Sequence, residues 1–112
     1  MVPRQAASLA LLAILPAATA LAQLRAPPIP VDSQRGVIRH IGEMVVAIDD
    51  RAMQLAAGAQ IRDQQNLIIV PTAIPQVGAW ADYVVGGDGQ VLRVWLLSPA
   101  ELAVPKPGTG GG

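Results

Sequence analysis

The 112-residue chain has no cysteine, no phenylalanine, one histidine (His40), one tyrosine (Tyr83) and two tryptophans (Trp80 and Trp95). Each shortage removes a class of function. Without Cys there is no disulfide framework, no thiolate nucleophile and no Cys-based zinc site. A lipid-anchored lipoprotein is excluded with them, because its acylated Cys must follow the cleavage site. One His leaves a zinc site or a Ser–His relay without partners. Charge is scarce too: 8 basic and 8 acidic residues give a formal net charge of zero. That balance offers no electrostatic footprint for nucleic acid or an anionic membrane.

What is present begins with a leader. Arg4 supplies a basic n-region, Ala6–Leu15 is apolar apart from Ser8, Pro16 breaks the helix, and Ala20-Leu21-Ala22 has the small-x-small form of a cleavage site. This is the pattern of a signal peptide over 1–22, cut before Gln23. Ala18-Thr19-Ala20 is a weaker alternative site. The competing reading is an uncleaved anchor over Ala6–Ala22, but its 17 residues lie at the bottom of the spanning range, and Pro16 and Thr19 weaken it. Arg4 stands alone, so a twin-arginine route is not indicated. The expected location is periplasmic, away from ATP and nicotinamide pools, and no cofactor is expected. The cleaved chain has 90 residues with 7 basic and 8 acidic side chains, Arg4 leaving with the leader. That is one small domain, which must hold together by packing, a partner or a metal rather than by disulfides.

Gln23–Pro30 (QLRAPPIP) holds three prolines in eight residues and predicts an extended, linker-like arm over 23–32. The end, PKPGTGGG over 105–112, is structureless by composition. Between them, 33–104 reads as short strands separated by turns. Gly36–Ile41 and Met44–Asp49 flank Gly42-Glu43, and Ala52–Ala56 follows Asp50-Arg51. Two tight turns predict a meander with Ile41 opposite Met44, Val37 opposite Ile48, Ile48 opposite Met53 and Val46 opposite Leu55. The shared apolar face is then Val37, Ile41, Met44, Val46, Ile48, Met53 and Leu55. Arg39 falls on that face and does not fit; it requires a bulge or a place at the rim. Gly58 breaks the third strand. Leu67–Val70 (LIIV) is a buried strand or a short buried segment, which periodicity alone does not decide.

The last unit is a hairpin. Ala79–Val85 and Gln90–Leu97 surround Gly86-Gly87-Asp88-Gly89. A turn centred on Gly87-Asp88 sets Tyr83 opposite Leu92 and Ala81 opposite Val94, with Ala81, Tyr83, Val85, Leu92, Val94 and Leu96 inward. The other face then pairs Trp80 with Trp95 and Asp82 with Arg93. Five short strands with an excursion after the third predict an all-β fold, a small five-stranded barrel of the OB type, with a two-layer antiparallel sandwich as the runner-up.

Gly36-Val37-Ile38, Met44–Ile48, Leu67–Pro71, Gly78 before a strand and Gly89-Gln90-Val91 together resemble small exported domain-of-unknown-function proteins of proteobacteria. The resemblance spans roughly Gln34–Glu101. It implies an OB-like β-barrel and carries no catalytic residues with it.

The candidates for chemistry are few. His40 is expected outward, across from Val45, as a surface residue rather than a base or ligand. Asp49-Asp50 reads as turn chemistry, since adjacent strand-end carboxylates point apart. The hydroxyls of Ser33, Thr72, Ser98 and Thr109 lie in no G-x-S-x-G context, and Ser98 suits the cap of a final helical turn. Gly86–Gly89 joins two strands and opens no helix, so it is no phosphate cradle. No catalytic or metal site is expected, and the acidic residues lack calcium-loop spacing. The best binding candidate is the surface of Trp80, Asp82, Arg93 and Trp95, where aromatics can stack on a sugar, peptide or base; the opposing expectation is that Leu67–Ile74 folds over both tryptophans. The expected role is a non-enzymatic binding module that meets an envelope protein, a glycan or a small ligand. The alternatives are an accessory subunit docking on an envelope complex and an enzyme with an unrecognised site.

Overall fold

The structure, a computed structural model, describes residues 25–106. The leader expected over 1–22 and the end of the tail, 107–112, lie outside the described residues. The strands are β1 (Gln34–Gly42), β2 (Val45–Ile48), β3 (Arg51–Arg62), β4 (Ile68–Ile69), β5 (Ala79–Val85) and β6 (Val91–Leu96), followed by one helical turn, α1 (Pro99–Leu102). β1, β2 and β3 form an antiparallel meander. β3 then runs parallel to β6, β6 antiparallel to β5, and β5 antiparallel to β1, closing a five-stranded ring; β4 is an extra strand on β3. This is the expected OB-like barrel. Closure gives each barrel strand a partner on both sides, which so apolar a set needs.

The registers differ from expectation at three places. Between β1 and β2, Ile38 rather than Val37 faces Ile48, because a bulge falls between His40 and Gly42 ahead of left-handed Glu43 (φ 42°). An inserted residue flips every side chain preceding it. Ile38 therefore enters the core, while Ile41 and Met44 are exposed. The bulge also resolves the misfit of Arg39, which leaves the inner face. Val46, Ile48 and Leu55 are buried as expected, with Met53 packed against them.

Between β2 and β3 the turn is Asp49-Asp50, both left-handed (φ 51° and 67°), so Ile48 faces Arg51 and Val46 faces Met53. Two left-handed central residues make a type I′ turn, whose twist matches that of the strands. The register is displaced by two residues, which leaves the faces unchanged. Asp49 also fastens this corner to β1: its Oδ1 accepts from the Val37 amide at 2.9 Å, and its own amide donates to the Val37 carbonyl at 2.9 Å.

The Gly86–Gly89 turn forms, with the Gly86 amide donating to the Gln90 carbonyl at 2.8 Å. A bulge then places Tyr83 opposite Val94, Asp82 opposite Trp95 and Val84 opposite Arg93. Val91 takes the inward place expected of Leu92, which is exposed. The tryptophans are thus not a cross-strand pair: the Leu97 amide, not that of Trp95, donates to the Trp80 carbonyl. The apolar 67–74 segment is not folded inward as a block. Leu67, Ile68 and Val70 are exposed, Ile69 packs on the core, and only Ile74 is fully buried.

Candidate functional site

The outer face of β1, β5 and β6 is covered where the two ends of the described chain cross it. Its centre is Arg25. Its guanidinium grips the Glu101 carboxylate with two contacts of 2.6 Å and also donates to the Leu96 carbonyl (2.9 Å), the Asp63 carbonyl (3.1 Å) and Asn66 Oδ1 (3.2 Å). The pair is buried, at 5% and 10% side-chain exposure. A planar fork of five donors suits such a site, where a lysine would satisfy fewer acceptors. Glu101 is set up by its own helix turn: Ser98 caps α1 in a capping box, Pro99 opens it, and the Ser98 amide donates to Glu101 Oε1 at 3.0 Å. Burial alone would raise the Glu101 carboxyl, but the Arg25 hydrogen bond, the Ser98 amide and the Arg25 charge outweigh it and hold the group below its ordinary value.

Beside this clamp lies a second charged group. Arg35 and Asp82 are cross-strand partners on β1 and β5, and Arg35 Nε donates to Asp82 Oδ1 at 2.8 Å. Lys106 Nζ stands 3.6 Å from Asp82 Oδ2 and donates to the Pro30 carbonyl at 3.2 Å, while Arg35 Nη1 donates to the Val104 carbonyl at 2.7 Å. Arm, barrel and chain end are therefore sewn together here, and Ser33 adds a stitch through its hydroxyl to the Pro30 carbonyl at 2.8 Å.

The four residues expected to form one binding surface are thus divided by burial, Asp82 and Trp95 being buried and Trp80 and Arg93 exposed. Asp82 is buried and its oxygens face Arg35 and Lys106, not Arg93. Trp95 is 5% exposed, with the Arg93 guanidinium 5.6 Å from its ring centroid. Trp80, at 47% exposure, and Arg93 stay open. Trp80 lines a cleft of about 800 Å³ together with Gln64 and Gln65 before β4, and Leu97, Pro99 and Leu102 around α1. No charged side chain lines that cleft.

The other candidates hold structure. His40 faces Val46, not Val45, and its Nε2 donates to the Glu43 carbonyl at 2.8 Å, closing the β1–β2 turn. Thr72 sits in a single 3-10 turn, Pro71–Ala73. Thr109 lies outside the described residues. Among the described residues no three His, Asp or Glu side chains come together in a metal-binding cluster, and no helix is long and apolar enough to cross a membrane. Sequence reasoning missed Arg25, whose only signal was a lone arginine in an apolar, proline-rich arm. It also missed Arg35 as the partner of Asp82, 47 residues away. Comparison with protein-family models, with curated proteins and with solved structures gives no match to this chain.

Proposed function

We propose that the protein is a non-enzymatic binding module of the cell envelope, exported through a cleaved leader, that holds its partner at the Trp80 cleft. One observation carries this reading: a half-exposed tryptophan stands over an uncharged cleft of about 800 Å³ on a closed barrel. An exposed indole face with amide groups beside it suits stacking plus hydrogen bonding, and the absence of charge in the lining favours a neutral group on the partner. The polar groups that chemistry would use are engaged elsewhere: Asp82 by two cations, Glu101 by Arg25 and His40 by a turn carbonyl. The pattern of Arg4, Ala6–Leu15 and Ala20–Ala22 supports the periplasm as the place of work. A photo-crosslinking residue at Leu102, on the cleft, tests the reading in intact cells against the same residue at Leu92, exposed elsewhere. Adducts at 102 that are absent at 92 and lost with Trp80→Ala are expected; the same adducts at both positions refute it.

A second reading has its own support. Leu67, Ile68 and Val70 are exposed on and around β4, which among the described residues is the one strand outside the closed ring. An apolar open edge of this kind suits an accessory subunit that docks on an envelope complex.

A further inference from the structure

A second recess lies away from the Trp80 cleft, between the arm and the end of the described chain, with a volume of about 380 Å³. Its walls are apolar: Pro28, Ile29 and Val31 on one side, Val104 and Pro105 on the other. Its floor is charged, and the charges do not cancel. Arg25 and Glu101 neutralise each other through a two-toothed contact. Asp82, by contrast, faces two cations, Arg35 and Lys106, whose side chains are only 10% and 9% exposed. Among the described residues the floor therefore carries one surplus positive charge.

We propose that this groove binds a free single-chain amphiphile, an anionic carboxylate head on an aliphatic tail. Surplus charge at such burial is costly when uncompensated, and an anion seated over Arg35 and Lys106 removes the cost. Donors are there to receive it. Arg35 spends three of its five N–H groups on Asp82 and Val104, and Lys106 spends one N–H on Pro30. The tail lies along the Ile29, Val31 and Val104 walls, where Val31 is 84% and Val104 58% exposed at the mouth. Burying that apolar surface under an aliphatic chain is favourable, and a volume near 380 Å³ falls within the usual range for small-molecule sites, about 300–1,000 Å³. Head and tail requirements sit side by side: neither a short anion nor a neutral hydrocarbon satisfies both.

The test is calorimetric titration of the chain from Gln23 onward with decanoate below its micelle-forming concentration. Parallel arms use butyrate, decanol, decyltrimethylammonium and vesicles containing anionic phospholipid. Saturable binding of decanoate, at least about tenfold tighter than that of the other three small molecules, is expected. Lys106→Met removes the surplus charge and leaves the Arg35–Asp82 pair in place. It should weaken decanoate about tenfold or more while the circular dichroism spectrum stays unchanged. Val104→Asp, at the mouth, should abolish binding without unfolding the barrel. Equal affinity for decanol, or no effect of Lys106→Met, overturns the proposal. Binding to vesicles but not to free decanoate overturns it in favour of a membrane surface. Binding gained only when the chain is cut after Lys106 overturns it in favour of residues 107–112 as the occupant. Loss of the Trp80 cleft's function with decanoate binding intact would leave this proposal standing, because the two sites share no lining residue.

Discussion

Arg25→Ala is the most informative single perturbation of this structure. The substitution strips a buried carboxylate, Glu101, of its cation and removes hydrogen bonds to two carbonyls and one amide oxygen. Removing one half of a buried ion pair costs about 3–5 kcal/mol when the other half stays buried. Here there is a way out: an arm no longer fastened lifts away, and water reaches Glu101. The loss is then capped by the docking energy of residues 25–31, which places it at about 2–4 kcal/mol. A domain of this size has about 5–10 kcal/mol in all, so a fall in Tm of roughly 10–25 °C is expected. Urea unfolding of the chain from Gln23 onward, followed by tryptophan fluorescence, measures it. Two companions sharpen the result. Arg25→Lys keeps the charge but not the fork, and should recover less than half of the loss. Arg25→Ala combined with Glu101→Gln should be less damaging than the sum of the two, because no charge is left stranded. A loss below about 0.5 kcal/mol for Arg25→Ala is the behaviour of a solvent-exposed pair and would refute the clamp.

Acid should act through the same pair. Glu101 titrates below its ordinary value in the folded chain, so its contribution is complete above the usual carboxylate range and is lost as pH falls through the lowered value. Arg25→Ala should flatten that part of the stability–pH curve, as read by melts across the acidic range. At the alkaline end the sign reverses: burial, with repulsion from Asp49 second, raises the Tyr83 hydroxyl, so stability should fall once pH passes the ordinary tyrosine value of about 10, and Tyr83→Phe should remove that fall in alkaline melts. Gly78→Ala should destabilise by about 2–3 kcal/mol in urea, since Gly78 sits at φ +101° and a new Cβ would lie 2.8 Å from Val37 Cγ1. Acrylamide should quench two distinct emissions, and Trp80→Phe should delete the accessible one and leave the blue-shifted signal of Trp95; uniform quenching would contradict their exposures of 47% and 5%.

Much of the barrel was legible in the chain. Turn signals at Gly42-Glu43, Asp49-Asp50 and Gly86–Gly89 separate apolar alternations, and those marks bring out the strands and their meander. Registers were less accessible, because a bulge adds one residue without adding a signal. The side chain of Arg39 on an apolar face was the one trace of the bulge in β1, and nothing in Leu92 announced the one opposite Val84–Val85. The outer face was the hardest to read. Asp82 and Arg93 match in charge across a local hairpin, yet Asp82 finds Arg35 across β5 and β1, because closing the ring creates neighbours that no local spacing encodes. Proline composition marked Gln23–Pro30 as extended but could not say that an arginine within it would be buried.

The order in which this ring closes bears on how the chain comes together in time. β1 is completed by β5, and β3 by β6, so residues 34–62 alone hold a meander with half its core missing. A chain emerging N-terminus first, from a ribosome or through a narrow pore, therefore lacks the strands that complete its core until about residue 96 is free. Loop-closure entropy must be met across most of the sequence before the core compensates it, which predicts slow folding of a single cooperative unit. Such a chain stays threadable for nearly its whole length. Arg25 comes out ahead of β1, yet its partner Glu101 lies 76 positions later, beyond β6 and on α1. The earliest of these residues to appear thus waits for one of the last.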